Sequence, residues 1–164
     1  MKKIVFIVLA LVILLGKTVF ALETRFMNIR SKILIESQEI KSLLADTKDI
    51  ILVNSMWDSC AMAISQLDAY FSLVGIFNTI KKEDASDAAL DFLVKWLNGM
   101  KNTNNVNINS LNSVTQKLQA QTQLRLEKLK GYFAELNQQI DAELKKLSAF
   151  KETLTKKQPP LPAK

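Results

Sequence analysis

The chain has 164 residues, 22 of them Lys or Arg and 16 Asp or Glu, with one cysteine and no histidine. One thiol can neither close an internal disulfide nor build a thiolate zinc site, and without imidazole no Ser-His or Cys-His nucleophile pair exists. The commonest general base near neutral pH is thereby excluded, and no Gly-rich phosphate loop is present.

The formal charge of +6 is unevenly spread. Lys2, Lys3 and Lys17 fall in the first 21 residues, and Leu144 to Lys164 holds six Lys against one Glu. Residues 22–143 carry 13 basic and 15 acidic side chains, so the body itself is slightly acidic. A Lys-rich end suits the negative pole of a helix dipole, and it offers anionic lipid headgroups only a weak contact. Arg occurs only at 25, 30 and 125 and no aromatic residues interleave with a basic face, so nucleic acid is not an expected partner.

Lys2 and Lys3 precede an apolar run from Ile4 to Leu15, and Val19 and Ala21 stand at the −3 and −1 positions of a cleavage site. This is the pattern of a secretory signal peptide, and the run is too short to span a bilayer. Residues 1–21 are therefore expected to be removed near Ala21, leaving a periplasmic or secreted protein that meets the membrane only transiently through this segment. The alternative is an anchor formed by a retained segment 4–20.

Beyond it, the chain holds only Gly75 and Gly99 before Gly131, and no proline before Pro159. So few breakers, with no useful run of period-2 alternation, predict long helices. A first helix from about Thr24 to Ala45 places Phe26, Ile29, Ile33, Ile40 and Leu43 on one stripe, with Glu36 as its one polar member. Asp46 and Thr47 offer capping oxygens for a second helix, from about Lys48 to Lys81. That helix has one apolar stripe through Val53, Met56, Cys60, Ala63, Leu67, Tyr70, Val74 and Phe77, and a second through Ile50, Trp57, Ile64 and Phe71. It is apolar enough to suggest a membrane span, but Asp58, Gln66 and Asp68 are expensive in lipid, so a core helix is expected.

After a polar corner at Lys81–Ser86, a third helix is expected to bury Ala89, Leu93, Trp96 and Met100 and to stop at Asn98-Gly99. The Asn-rich run from Asn102 to Asn109 reads as a loop. A fourth helix, from about Ser110 to Lys156, keeps a heptad register through Leu126, Leu129, Phe133, Leu136, Ile140, Leu147, Phe150 and Leu154, with Glu143 as the exception. Upstream, Leu111, Val114 and Leu118 lie one position out of that register, which reads as a phase slip within the helix.

The candidate chemistry is sparse. Asp84, Asp87 and Asp91 share one helix face, but their spacing matches no calcium loop, and acids at a helix start are favoured by its dipole. The aromatics Trp57, Tyr70, Phe92 and Trp96 suit a bundle core better than a ligand pocket. Pro159–Lys164 has the form of a polyproline ligand, PxxPxK, and reads as a stiff tail. No metal or cofactor is called for.

The expectation is thus an all-α, elongated bundle of about four helices with a long heptad-patterned C-terminal helix. Residues 1–21 are the signal peptide, 22–157 the bundle and 158–164 the Pro/Lys tail. With no catalytic constellation, the expected function is exported, non-enzymatic and based on helix-to-helix association with a protein partner or itself, in a scaffold, chaperone-like or secretion-accessory role. The heptad seam of Leu126, Leu129, Phe133, Leu136, Ile140, Leu147 and Leu154 supplies core or partner contacts. The alternative function is a ligand-binding bundle, a sensor-like or carrier module with an apolar cavity.

Overall fold

A computed structural model describes residues 25–79 and 87–155, and these form an all-α bundle of four long helices. The N-terminal segment 1–21, the corner at 81–86 and the tail 158–164 lie outside the described residues. Helix α1 covers 25–42 and tightens into a 3₁₀ turn at Leu43–Ala45. Helices α2 (Ile50–Thr79), α3 (Asp87–Asn112) and α4 (Ala120–Thr155) follow.

Side-chain pairs fix how the helices run. Arg30 with Asp68 and Phe26 with Tyr70 set α1 antiparallel to α2. Gln66 with Thr103 joins α2 to α3, while Lys101 with Asp141 and Lys151 with Asp91 make α3 and α4 antiparallel. Lys32 with Glu135 and Arg125 with Glu39 close the ring between α4 and α1. The result is an up-down-up-down bundle in which α2 and α4 lie diagonally and run parallel.

The inward stripes of α1 and α2 are those the sequence predicts. Phe26, Ile29, Ile33 and Ile40 on α1, and the stripe from Val53 to Tyr70 on α2, are all at most 2% exposed, while Leu43, Val74 and Phe77 at the ends of these stripes are half-buried. On α4, Leu126, Leu129, Phe133, Leu136 and Ile140 are equally buried, and Leu147 is half-buried against them. The side chain of Leu154 lies outside the described residues.

Two expectations are corrected. The Asn-rich run is helix, not loop: α3 passes through Asn98-Gly99 unbroken and continues to Asn112. Gly99 does not adopt the left-handed conformation of a C-cap. The stripe Leu97–Met100–Asn104–Leu111 is buried throughout, so packing against α4 outweighs the weak helix propensity of asparagine. The second correction concerns α4, which begins at Ala120 instead of Ser110. The phase slip is the α3–α4 connection itself: Leu111 lies in the last turn of α3, whereas Val114 and Leu118 lie in the link 113–119.

The parallel pair α2 and α4 share their N-terminal caps. The Gln119 carbonyl oxygen Oε1 accepts from the Lys48 backbone N–H at 3.1 Å and from Thr47 Oγ1 at 2.9 Å. In return Asp49 Oδ2 accepts from the Gln119 backbone N–H, also at 3.1 Å. Each satisfies donors left open at a helix start. Thr47 does not cap α2 directly: its Oγ1 accepts from Asp49 N–H at 3.0 Å, a turn just ahead of the helix start at Ile50.

Candidate functional site

The polar exceptions in the heptads are where the core carries charge. Glu36, the one acid in the α1 stripe, is 2% exposed and accepts from Arg125 Nη1 at 3.3 Å. Arg125 also donates to Glu39 at 2.6 Å, so one guanidinium from α4 serves two carboxylates of α1. Glu143, the exception in α4, accepts from the Tyr70 hydroxyl at 2.9 Å across the bundle diagonal. Burial raises its pKa, opposed by that hydrogen bond and by the charge of Lys146.

A third polar layer sits between α3 and α4. Asn104, fully buried, donates to Asn137 at 3.3 Å, and Asn137 donates to Asn105 at 2.8 Å. A buried asparagine at such a position fixes the register of two helices, because any slip strands its amide in apolar surroundings. These layers are structural. They hold the helices in place.

The one thiol, Cys60, lies in the interior. Burial, with Glu36 nearby, pushes the Cys60 thiol up to about 12, so it stays protonated at neutral pH. Among the described residues no three His, Cys, Asp or Glu side chains gather to hold a metal ion. Of the acidic trio at the start of α3, Asp91 accepts from Lys151 at 2.7 Å, and Asp84 lies outside the described residues. The aromatic residues do not converge either. Tyr70 meets Phe26 edge-on at one end of the core, Trp57 lies beneath Lys41, and Phe92 neighbours Trp96 on α3. A depression near the end of α4 is lined by Asp141, Leu144, Lys145, Ser148, Ala149 and Glu152, all from a single helix. It is a surface groove and not the apolar cavity a carrier needs.

What remains is a surface with unusual composition. Helices α2 and α3 carry only two and four charged residues, against six on α1 and eleven on α4. Three of those six turn toward the other pair: Asp68 to Arg30, Asp91 to Lys151 and Lys101 to Asp141. From Asn102 to Gln116 there is no charge at all. On this face Ile51 is 84% exposed, Val106 67%, Ile76 61% and Phe92 51%. Met27, Leu34 and Ile35 of α1 and Leu124 of α4 are exposed too, but they stand on helices where about one residue in three is charged. The segment Ile50–Phe77 is long and apolar enough to cross a membrane, yet only 22% of its most apolar window is buried by the rest of the bundle. The sequence predicts two apolar stripes on α2; the structure buries most of the first, half-buries Trp57, Ile64 and Phe71 of the second, and leaves the side through Ile51, Met62 and Ile76 open.

Depletion of Lys, Glu and Asp with exposed aromatic and Met side chains is the composition of the middle of a protein interface, although Ser, frequent here, is not enriched there. The periodicity of α2 shows how wide its apolar arc is, but not which part stays open. Comparison with protein-family models, with curated proteins and with solved structures gave no match.

Proposed function

We propose that this chain is an exported, non-enzymatic helical protein that acts by binding a protein through the charge-poor face of α2 and α3. The observation that carries the reading is the exposure of Ile51, Met62, Ile76, Phe92 and Val106 on helices nearly free of charge. A solvated face is ordinarily kept soluble by Lys and Glu, as α4 is here. The long seam of α4 has a different role. Its buried members Leu126 to Ile140 hold the bundle together, so contact with a partner falls to the opposite helices.

The absence of histidine and the protonated Cys60 thiol support a binding role over a catalytic one. Export rests on the lysines, apolar run and cleavage pattern of residues 1–21. N-terminal sequencing of the protein from its own cells tests it: Leu22 is expected, and Met1 overturns it.

The binding reading is tested by placing a photo-crosslinking residue, in cells, at Phe92 or Val106 and, for contrast, at Lys128 or Lys145 on α4. Protein adducts are expected from the first pair. Equal or greater yield from the second pair overturns the assignment of the face.

A further inference from the structure

The outward side of α2 advances by alternating steps of four and three from Ile51 to Ile76, and its positions pair about the midpoint between Ala63 and Ile64, with identical side chains in two of the four pairs. Ile51 mirrors Ile76, Ser55 mirrors Ser72 and Met62 mirrors Ser65. Asp58, the one charge on this line, mirrors Ala69. We infer that this face takes a second copy of the chain, α2 lying antiparallel on α2 about a two-fold axis through that midpoint. The inference rests on the α2–α3 face being a contact surface, and it names the occupant.

An isologous dimer needs one patch that complements itself, and an antiparallel helix pair does so only if its outward residues read compatibly in both directions. Here they do. At the centre, Met62 of each copy meets Ser65 of the other, a long flexible side chain against a short one. Small residues at Ser65, Ala69 and Ser72 allow the helices to approach closely. At the ends isoleucine meets isoleucine, covering the two most exposed large apolar side chains of α2, at 84% and 61%.

The charges agree as well. Asp58 faces Ala69 of the second copy, and the two Asp58 carboxylates stand 11 residues apart in register, or ~16 Å at the helical rise. That exceeds the Debye length of ~8 Å in physiological salt, so they do not repel appreciably. The same two-fold brings the uncharged stretch of α3 toward its own counterpart, where the exposed Asn102 and Asn109 can bond across the seam, Asn104 and Asn105 being engaged with Asn137 of α4.

A membrane surface fits this face poorly. Amphipathic helices that lie on anionic bilayers flank their apolar side with Lys and Arg, and α2 contains neither.

The test uses two single-cysteine additions, Ser55→Cys and Ser72→Cys, oxidised separately and as an equimolar mixture of the purified proteins. Cys60, buried and protonated, stays out of the reaction. In the proposed register the thiol introduced at position 55 of one copy faces the thiol introduced at position 72 of the other. Two thiols at the same position lie ~25 Å apart. The mixture is therefore expected to yield about tenfold more covalent dimer than either variant alone, because a disulfide requires Cα atoms within ~7 Å. Equal crosslinking by a single variant overturns the register, and no crosslinking overturns the dimer.

Sedimentation of the unmodified protein provides the second measurement. A dimer is expected at roughly 100 µM and a monomer after Met62→Lys, a change at a half-exposed position that leaves the helical circular dichroism intact. A strict monomer before substitution overturns the proposal. If Phe92 or Val106 then still crosslinks to a different protein in cells, the binding reading survives without self-association. If neither occurs, both fall.

Discussion

The α1–α4 pair and the α2–α3 pair of this bundle bury similar apolar stripes but present opposite surfaces. The first pair is studded with charge, and much of it is organised: Lys32 bonds both oxygens of Glu135, and Arg125 ties Glu36 and Glu39 to α4. The second pair has outward isoleucine, methionine, phenylalanine and valine among serine and asparagine. A helix bundle needs only its inward stripes to fold. The difference between the outward faces therefore bears on what each pair meets in solution. Under the proposed function that is water for α1 and α4, and another chain for α2 and α3.

That contrast can be broken at its strongest point by comparing truncations. Phe133→Ala, at a fully buried position of α4, is expected to cost about 4 kcal/mol in urea unfolding, the scale for a buried phenylalanine. Ile51→Ala, at an 84% exposed position of α2, should change the stability of the monomer by no more than about 0.5 kcal/mol. Comparable losses at both sites would mean that α2 is covered inside the monomer.

Arg125→Met comes next. It strands Glu36 in the core without its partner and should cost roughly 3 kcal/mol by chemical denaturation. Adding Glu36→Met should restore most of the loss, because replacing both members of a buried pair by apolar groups is close to neutral. A double variant no better than the single would show that Arg125 acts through other contacts.

Gly99→Ala sharpens the correction to α3. Gly99 lies in the helix interior, and a Cβ added there meets nothing within 4 Å. The substitution should raise stability by about 1 kcal/mol, the difference in helix propensity. If the segment instead ended at a glycine cap, the same change would destabilise the protein.

The smallest effect separates two carboxylates by sign. Glu143 has its pKa raised by burial, so its contribution to stability is full below the unfolded value and is lost as pH rises through the folded one. Glu143→Gln should abolish that loss in thermal melts taken across the mildly acidic range. Asp68 is the opposite case: the hydrogen bond from Arg30 lowers its pKa. Its contribution is present above the ordinary carboxylate value and fades as pH falls through the folded one, and solvent exposure keeps it small. If the stability of the unmodified protein relative to Glu143→Gln rose with pH, the assignment for Glu143 would be refuted.

Much of the interior is legible in the sequence. The stripes of α1, α2 and α4 follow from residue spacing, and Glu36 and Glu143 stand out as acids in apolar registers, each of which meets a partner across the bundle. The Asn-rich run reads as a loop only when composition is weighed above periodicity. Leu97, Met100, Asn104 and Leu111 keep helical spacing, and that is the signal the fold obeys. The break in register between Leu118 and Leu126 likewise marks the start of α4.

The order and amphipathicity of the helices are thus properties of the chain itself, since the spacing of apolar residues is set locally along each helix. Which apolar residues end up covered is not local. A side chain is buried only if another helix arrives over it, so the tertiary arrangement decided that, of the wide apolar arc of α2, Ile51, Met62 and Ile76 would be left facing outward.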